Sequence, residues 1–272
     1  MNGLHEWPLV IFTVLAQSAV GAWLIFTVIL CRQGDEPRAY WNKVLFVPLL
    51  LLGAGFIASA LHLGTPLRAL NSLNRVGSSM LSNEIATGAL FFGLAGVYWL
   101  WGLFGKMSRG LGKIWLILTA LVGLAFMYMM NQVYHIATVP TWNTPLISWQ
   151  FYLTVVIGGS ALACGLLANF GDYQPRYTAV LYVLGTFLAA IIVIYQGFGL
   201  SQIHSSAQQA VALVPDFAVN QVIRLCLLAA AGMVLLKSKQ PLLLSIAVIL
   251  ALFAEMIGRE LFYSLHMTVG MA

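Results

Sequence analysis

Residues 60–86, ALHLGTPLRALNSLNRVGSSMLSNEIA, form a polar island between two long apolar runs. The island holds His62, Arg68, Arg75 and Glu84, in a chain of 272 residues that is 61% hydrophobic and only 8% charged. With a mean hydropathy of +0.90, such a composition belongs to integral membrane proteins and excludes an ordinary soluble domain. A membrane-crossing helix needs about 20 mostly apolar residues. Windows of that length occur at 8–31, 42–62, 83–104, 112–136, 149–170, 178–200, 218–236 and 241–265. They are continuously apolar without period-two alternation, which excludes a β-barrel. The expected fold is an all-α integral membrane protein, one polytopic domain over 1–272 with eight transmembrane helices, a number compatible with two four-helix halves.

Topology follows from the basic residues. Arg32, Arg38, Lys43, Lys106, Arg109, Lys113, Arg176, Lys237 and Lys239 flank the helices on one side, whereas the other side has only Arg68 and Arg75. The first side is therefore cytoplasmic, and both termini are expected outside, in the periplasm. The net charge of +5 is spread over short loops and makes no nucleic-acid patch. The N-terminus has no Lys or Arg before a run too long for a signal h-region, so the first helix is expected to be retained. Cys31, Cys164 and Cys226 form no CxxC pair, and no CxxCH occurs. No iron–sulfur cluster, structural zinc or c-type haem is expected in this chain.

The island itself reads as a break and a restart. The helix before it ends at His62, Gly64-Thr65-Pro66 interrupts it, and Leu67, Leu70, Leu73 and Val76 suggest a short interfacial helix. Ser82 is the expected N-cap of the third helix, with Glu84 in its first turn. A connection of this length is uncommon unless it binds something.

Elsewhere the polar residues are distributed unevenly. His5, His62, His135, His204 and His266 all fall at outer helix ends or before helix one. Arg224, Glu255, Arg259 and Glu260 lie in the last two helices, while the inner half has essentially no titratable side chain. A charge at the centre of a membrane helix costs roughly 2.5–3.5 kcal/mol, so these residues mark a site or a buried ion pair. Glu255 and Arg259 stand four residues apart in the favourable order for a helical pair, and Tyr263 and His266 continue that stripe.

One chemistry that such a surface suits is quinol oxidation, which removes two electrons and two protons. It needs a slot open to lipid, a base for a phenolic proton and a carboxylate to carry that proton to water. His62 and Glu84 stand at one depth and supply base and relay. Arg68 or Arg259 can hold the other oxygen, with Glu255 beside it. The plainer reading of each is structural: a histidine at a helix end is an interface anchor, Glu84 completes a helix N-terminus, and Glu255, Arg259 and Arg224 lock helices together.

LHLGTPLRALNSLNRVGSSMLSNEIATG resembles the signature stretch of the membrane anchor subunit of the dimethyl sulfoxide reductase family, a molybdopterin oxidoreductase anchor. WPLVIFTVLAQSAVGAW, TVPTW, IHSSAQQAVALVPD and EMIGRELFYSLHMTVGM are similar to its other segments, so the likeness spans nearly the whole sequence. The resemblance implies an eight-helix anchor in the bacterial cytoplasmic (inner) membrane, without haem, that oxidises menaquinol. It implies partners on the outer face: an iron–sulfur electron-transfer subunit and a molybdopterin catalytic subunit. The family's quinol-associated histidine and glutamate stand here as His62 and Glu84.

Two other classes compete. A dihaem cytochrome b-type anchor would need histidines at two depths, and none stands at the inner side. A secondary transporter needs a midplane site with access from both faces, whereas the polar set here is displaced outward.

Overall fold

The computed structural model describes residues 6–32, 38–61, 66–105, 108–170, 176–204 and 209–269. Among them are eight helices long and apolar enough to cross a membrane, numbered here in chain order. They are α1 Trp7–Arg32, α2 Arg38–Leu61, α3 Met80–Phe104, α4 Arg109–Gln132, α5 Pro145–Phe170, α6 Arg176–Gln202, α7 Phe217–Lys237 and α8 Pro241–Ser264. All backbone hydrogen bonding within a span is local to its helix, the condition for crossing hydrocarbon. A 3-10 helix, Pro66–Arg75, lies before α3, and one further turn, Ala210–Leu213, lies before α7. The predicted interfacial helix is thus present as a 3-10 segment that packs on α2 and α3.

Helix α1 packs on α2 and α4, α2 on α3, and α3 on α4; likewise α5 packs on α6 and α8, α6 on α7, and α7 on α8. Helices α1 and α5 are the most enclosed of the eight and lie against each other. Their contact needs the absence of side chains. A Cβ on Gly21 would lie 2.0 Å from the Val155 carbonyl oxygen, and one on Gly159 would lie 2.4 Å from the carbonyl carbon of Gly21. One position along, a Cβ on Gly158 would meet Ser18 Oγ. Small residues at such a crossing let two backbones touch, which in lipid supplies van der Waals contact where a hydrophobic driving force is missing. The small residues of α2 serve otherwise: Gly55 faces Phe12 and Gly53 faces Phe92, both at ordinary contact distance.

Two boundaries depart from the sequence reading. Helix α3 begins at Met80 with Ser79, not Ser82, as its N-cap. The backbone turns at Gly77, φ 89°, whose N–H donates to Asn83 Oδ1 at 2.6 Å. Asn83 thereby ties the turn to the new helix, and Glu84 moves out of the first turn into a buried position. Helix α4 ends at Gln132 rather than at residue 136. The turn after it swings Tyr134 inward against Phe151 and Phe262, ring centroids 5.2 Å from each.

Because backbone atoms cannot yield at the α1–α5 crossing, Gly159→Ala is predicted to destabilise by about 1–3 kcal/mol or to abolish folding. Gly96→Ala, where nothing lies within 4 Å of the added carbon, is expected to be neutral or to stabilise by about 0.5–1 kcal/mol. Thermal unfolding of the two variants in detergent checks this; equal midpoints would show that the crossing is not tight.

Candidate functional site

Both described ends of the polypeptide lie at the same end of the bundle: Gln17 in the first half of α1 meets Arg259 near the end of α8, and α1 runs parallel to α5, with Gln17 beside Phe151 and Gly21 beside Val155 and Gly159. The buried charged residues among those described are Glu84, Arg224, Glu255 and Arg259. At 1.5 Å per residue, Glu84 is about 6 Å in from Met80, Arg224 about 10 Å from Phe217, and Arg259 and Glu255 about 8 and 13 Å from Ser264. All four therefore sit in the half nearer the termini. In the opposite half the buried polar groups among the described residues are hydroxyls and indoles. Tyr182, for example, donates to the Leu228 carbonyl at 3.0 Å, and Ser160 to the Val156 carbonyl at 2.6 Å.

Glu84 sits on the buried face of α3 with Ser82, Gly88, Phe91 and Ala95. One turn below it, Gly88 makes room for Phe126 of α4 and Phe56 of α2, whose rings stack at 6.4 Å. Phe12 of α1 closes this apolar floor, 5.7 Å from Phe56. The 3-10 helix packs against α2 and α3. Glu84 is only 4% exposed, and among the described residues its Oε1 has no hydrogen-bond partner. A carboxyl in that condition is costly to bury unless it carries a proton or meets a ligand.

The carboxylate and phenols form one electrostatic cluster. Tyr134 and Tyr263 share a short hydroxyl–hydroxyl hydrogen bond. Burial first, then Tyr263 and the Glu84 carboxylate, push the Tyr134 phenol well above its ordinary range, with Arg259 opposing them. Tyr134 shares the Phe151 ring with Arg259, which lies over the same phenyl group. Above it, Trp142 of the TVPTW loop donates its indole N–H to the Phe262 carbonyl at 2.9 Å and contacts the His266 ring at 4.7 Å. That loop, an uncharged connection by sequence, clamps the end of α8.

Glu255 and Arg259 do not pair with each other as their spacing suggested. Glu255 Oε1 accepts from Arg224 of α7 at 2.9 Å, and its Oε2 accepts from the Thr154 hydroxyl of α5 at 2.6 Å. Arg259 instead donates to Gln17 Oε1 of α1 at 2.6 Å, with Thr154 Oγ1 at 3.4 Å. Its guanidinium lies 3.7 Å over the Phe151 ring, a cation–π contact. Gln17 in turn donates to the Phe151 carbonyl at 3.1 Å. Four helices are joined through these groups. The cavity beside them has about 10 Å³, room for one small sphere and not for a quinone ring.

The other histidines are tethered at the same end of the bundle. His135 Nε2 is 2.8 Å from Ser148 Oγ and its Nδ1 is 3.3 Å from Asn143 Oδ1, on an open cleft of about 440 Å³. His204 bridges to Gln209 across the 201–217 connection. His62 and His5 lie outside the described residues, and Arg68 is placed only by the backbone of the 3-10 helix. The structure thus gathers Tyr134, Tyr263 and Arg259 around Phe151 and Phe262, sets Glu84 over the Phe56–Phe126 floor and gives Glu255 to Arg224. Gln17 and Thr154 escape the sequence reading; their polarity inside otherwise apolar helices is the signal that could have found them.

Residues 1–265 match the family described as DMSO reductase anchor subunit (DmsC). Similarity to the anaerobic dimethyl sulfoxide reductase C chain of Haemophilus influenzae is 58% identity over 273 residues, covering 99% of this sequence and 98% of that protein. The anaerobic dimethyl sulfoxide reductase YnfH chain of Escherichia coli is 47% identical over 280 residues, covering 100% of this sequence and 98% of the relative. The anaerobic dimethyl sulfoxide reductase C chain of Escherichia coli is 44% identical over 282 residues at the same coverage. With that extent of likeness and eight apolar helices, the protein belongs to the DMSO reductase anchor subunit family, the multi-pass membrane subunits of dimethyl sulfoxide reductase complexes.

Proposed function

We propose that this protein oxidises menaquinol at the periplasmic side of the bacterial inner membrane and hands the electrons to an iron–sulfur subunit. That partner docks on residues 63–82 and 201–217 and serves a molybdopterin catalytic subunit. Both termini then lie outside, and the spans divide into two four-helix halves, α1–α4 and α5–α8. The carrying observation is the Glu84 carboxyl, buried over an apolar floor with an oxygen left without a partner among the described residues.

The chemistry assigns roles accordingly. Menaquinol enters from the lipid between α2 and α3, and its oxidation to the quinone yields two electrons and two protons. His62 accepts a phenolic proton and Glu84 passes protons outward, since a neutral base and a water-linked carboxylate are what the reaction requires. Arg68 steadies the oxygen that becomes anionic. Arg259 and Glu255 act on the ring through the field they set, because their adjoining space of about 10 Å³ admits no ring. The buried charges all lie in the terminal half, so protons leave on that side and none is drawn from the cytoplasm.

Glu84→Gln or His62→Ala in the intact complex is predicted to lower quinol-dependent reduction by about 10²-fold or more. Activity with a soluble artificial donor, and copurification of the partners, should be retained. Loss of both activities together would make these side chains structural.

In proteoliposomes with a pH dye on each side, turnover should release only the scalar protons of quinol oxidation, on the periplasmic face. Uptake from the opposite compartment would overturn the one-sided route.

A further inference from the structure

The sequence offers helix α3 two starts, Ser79 and Ser82, since serine suits an N-cap at either position. The protein uses Ser79, although that side chain makes no capping hydrogen bond. Which start is used decides what Glu84 can do. Begun after Ser82, the helix would carry Glu84 in its first turn, where a carboxylate accepts unbonded backbone N–H groups and is drawn to the positive end of the helix. Begun at Met80, it carries Glu84 a turn deeper, on the buried face over the Phe56–Phe126 floor.

The earlier start is held from Asn83. Its Oδ1 accepts the Gly77 N–H at 2.6 Å, across a turn in which Gly77 has φ 89°, a conformation that glycine adopts readily. The Ser78 and Ser79 N–H groups donate to the Arg75 carbonyl at 3.0 and 2.9 Å, and the Asn83 N–H donates to the Ser79 carbonyl at 3.0 Å. Asn83 is thus fastened by backbone and side chain to the turn that follows the 3-10 helix. A helix begun after Ser82 would leave its N–H in the unbonded first turn.

We propose that Asn83 is a positioning residue for quinol oxidation, a role that rests on the proton-exchanging reading of Glu84 given above. By holding the Gly77 N–H, Asn83 selects the start at Met80 and keeps the Glu84 carboxyl away from first-turn donors, free to meet the hydroxyl of a ligand. It acts on the fraction of molecules whose Glu84 is in place. A ligand that binds only those molecules has its apparent affinity reduced by that fraction, so the signature lies in KM and not in kcat.

The test compares variants of the intact complex in lipid nanodiscs. Asn83→Ala should raise the KM for a reduced naphthoquinone about five- to tenfold, the worth of one such hydrogen bond, with kcat changed by less than about twofold. Activity with a soluble artificial donor should be retained. Amide hydrogen exchange at residues 83–85, which lose their backbone acceptors when the helix starts later, should rise in step. Gly77→Ala, whose added carbon meets nothing within 4 Å but whose backbone resists a positive φ, should do the same. Asn83→Asp keeps the acceptor and should stay near the wild-type KM. Adding Ser82→Ala to Asn83→Ala removes the rival cap and should lower the KM again. Unchanged KM and exchange in Asn83→Ala, or loss of activity with both donors, would overturn the positioning role. A lower kcat at unchanged KM would overturn it by making Asn83 part of the chemistry. Wild-type quinol turnover in Glu84→Gln would sink the quinol reading itself, whereas an inactive Glu84→Gln beside an unimpaired Asn83→Ala would sink only the role of Asn83.

Discussion

The backbone contact between Gly21 and Gly159 sets the position of nearly everything that follows from it. It brings α1 and α5 close enough that, one turn toward the termini, Gln17 reaches both the Phe151 carbonyl and Arg259. Thr154, on the same stretch of α5, then stands between Arg259 and Glu255. With a side chain at either glycine the two helices would separate by an ångström or more, and hydrogen bonds of 2.6–3.1 Å do not stretch that far. A packing constraint thus becomes an electrostatic one. The small residues position the amide and hydroxyl that let a cation remain buried.

Depth is the second ordering principle. Each buried charge lies within about 13 Å of the terminal end, and the opposite half is held together by glycine contacts, hydroxyls and aromatic edges. Gly165, for instance, leaves room for Val248, and Tyr40 donates to the Leu167 carbonyl at 3.2 Å. The two halves divide the work that lipid imposes on any polytopic protein. The far half is a closed apolar scaffold, and the near half tolerates polar groups because neighbouring helices supply partners for most of them.

Much of this is legible in the order of residues alone. The eight spans follow from apolar run length, and their observed ends differ from the expected ones by no more than about four residues. The asymmetry in depth is likewise visible, because it depends only on where charged residues fall along each run. Partner choice is not. Periodicity places Glu255 and Arg259 on one stripe of α8, yet Glu255 pairs with Arg224 on α7, since a helical register says which face a residue occupies and not which helix covers it. Ser79 replaces Ser82 as N-cap because Asn83 reaches back to Gly77, a local side chain–backbone bond that composition does not rank. Tyr134 is hidden for a related reason: it follows the last helical residue of α4 and turns inward only because the helix stops three residues before His135.

The two buried carboxylates then differ in a way that separates holding from reacting. Glu255 has both oxygens engaged, by a guanidinium and a hydroxyl from different helices, so its charge is spent on joining α5, α7 and α8. Removing either partner would leave a buried group unsatisfied, which is the expensive direction for such a network. Glu84 has comparable burial, but among the described residues its Oε1 meets no donor, and the floor one turn below it is made of phenyl rings. A residue kept only for stability would gain from a partner or from replacement by an apolar side chain. A carboxyl left incomplete beside an apolar floor gains only when something brings it a hydrogen. On the proposed quinol-oxidising reading, the cost of keeping Glu84 is that of a group which exchanges protons with a molecule arriving from the lipid.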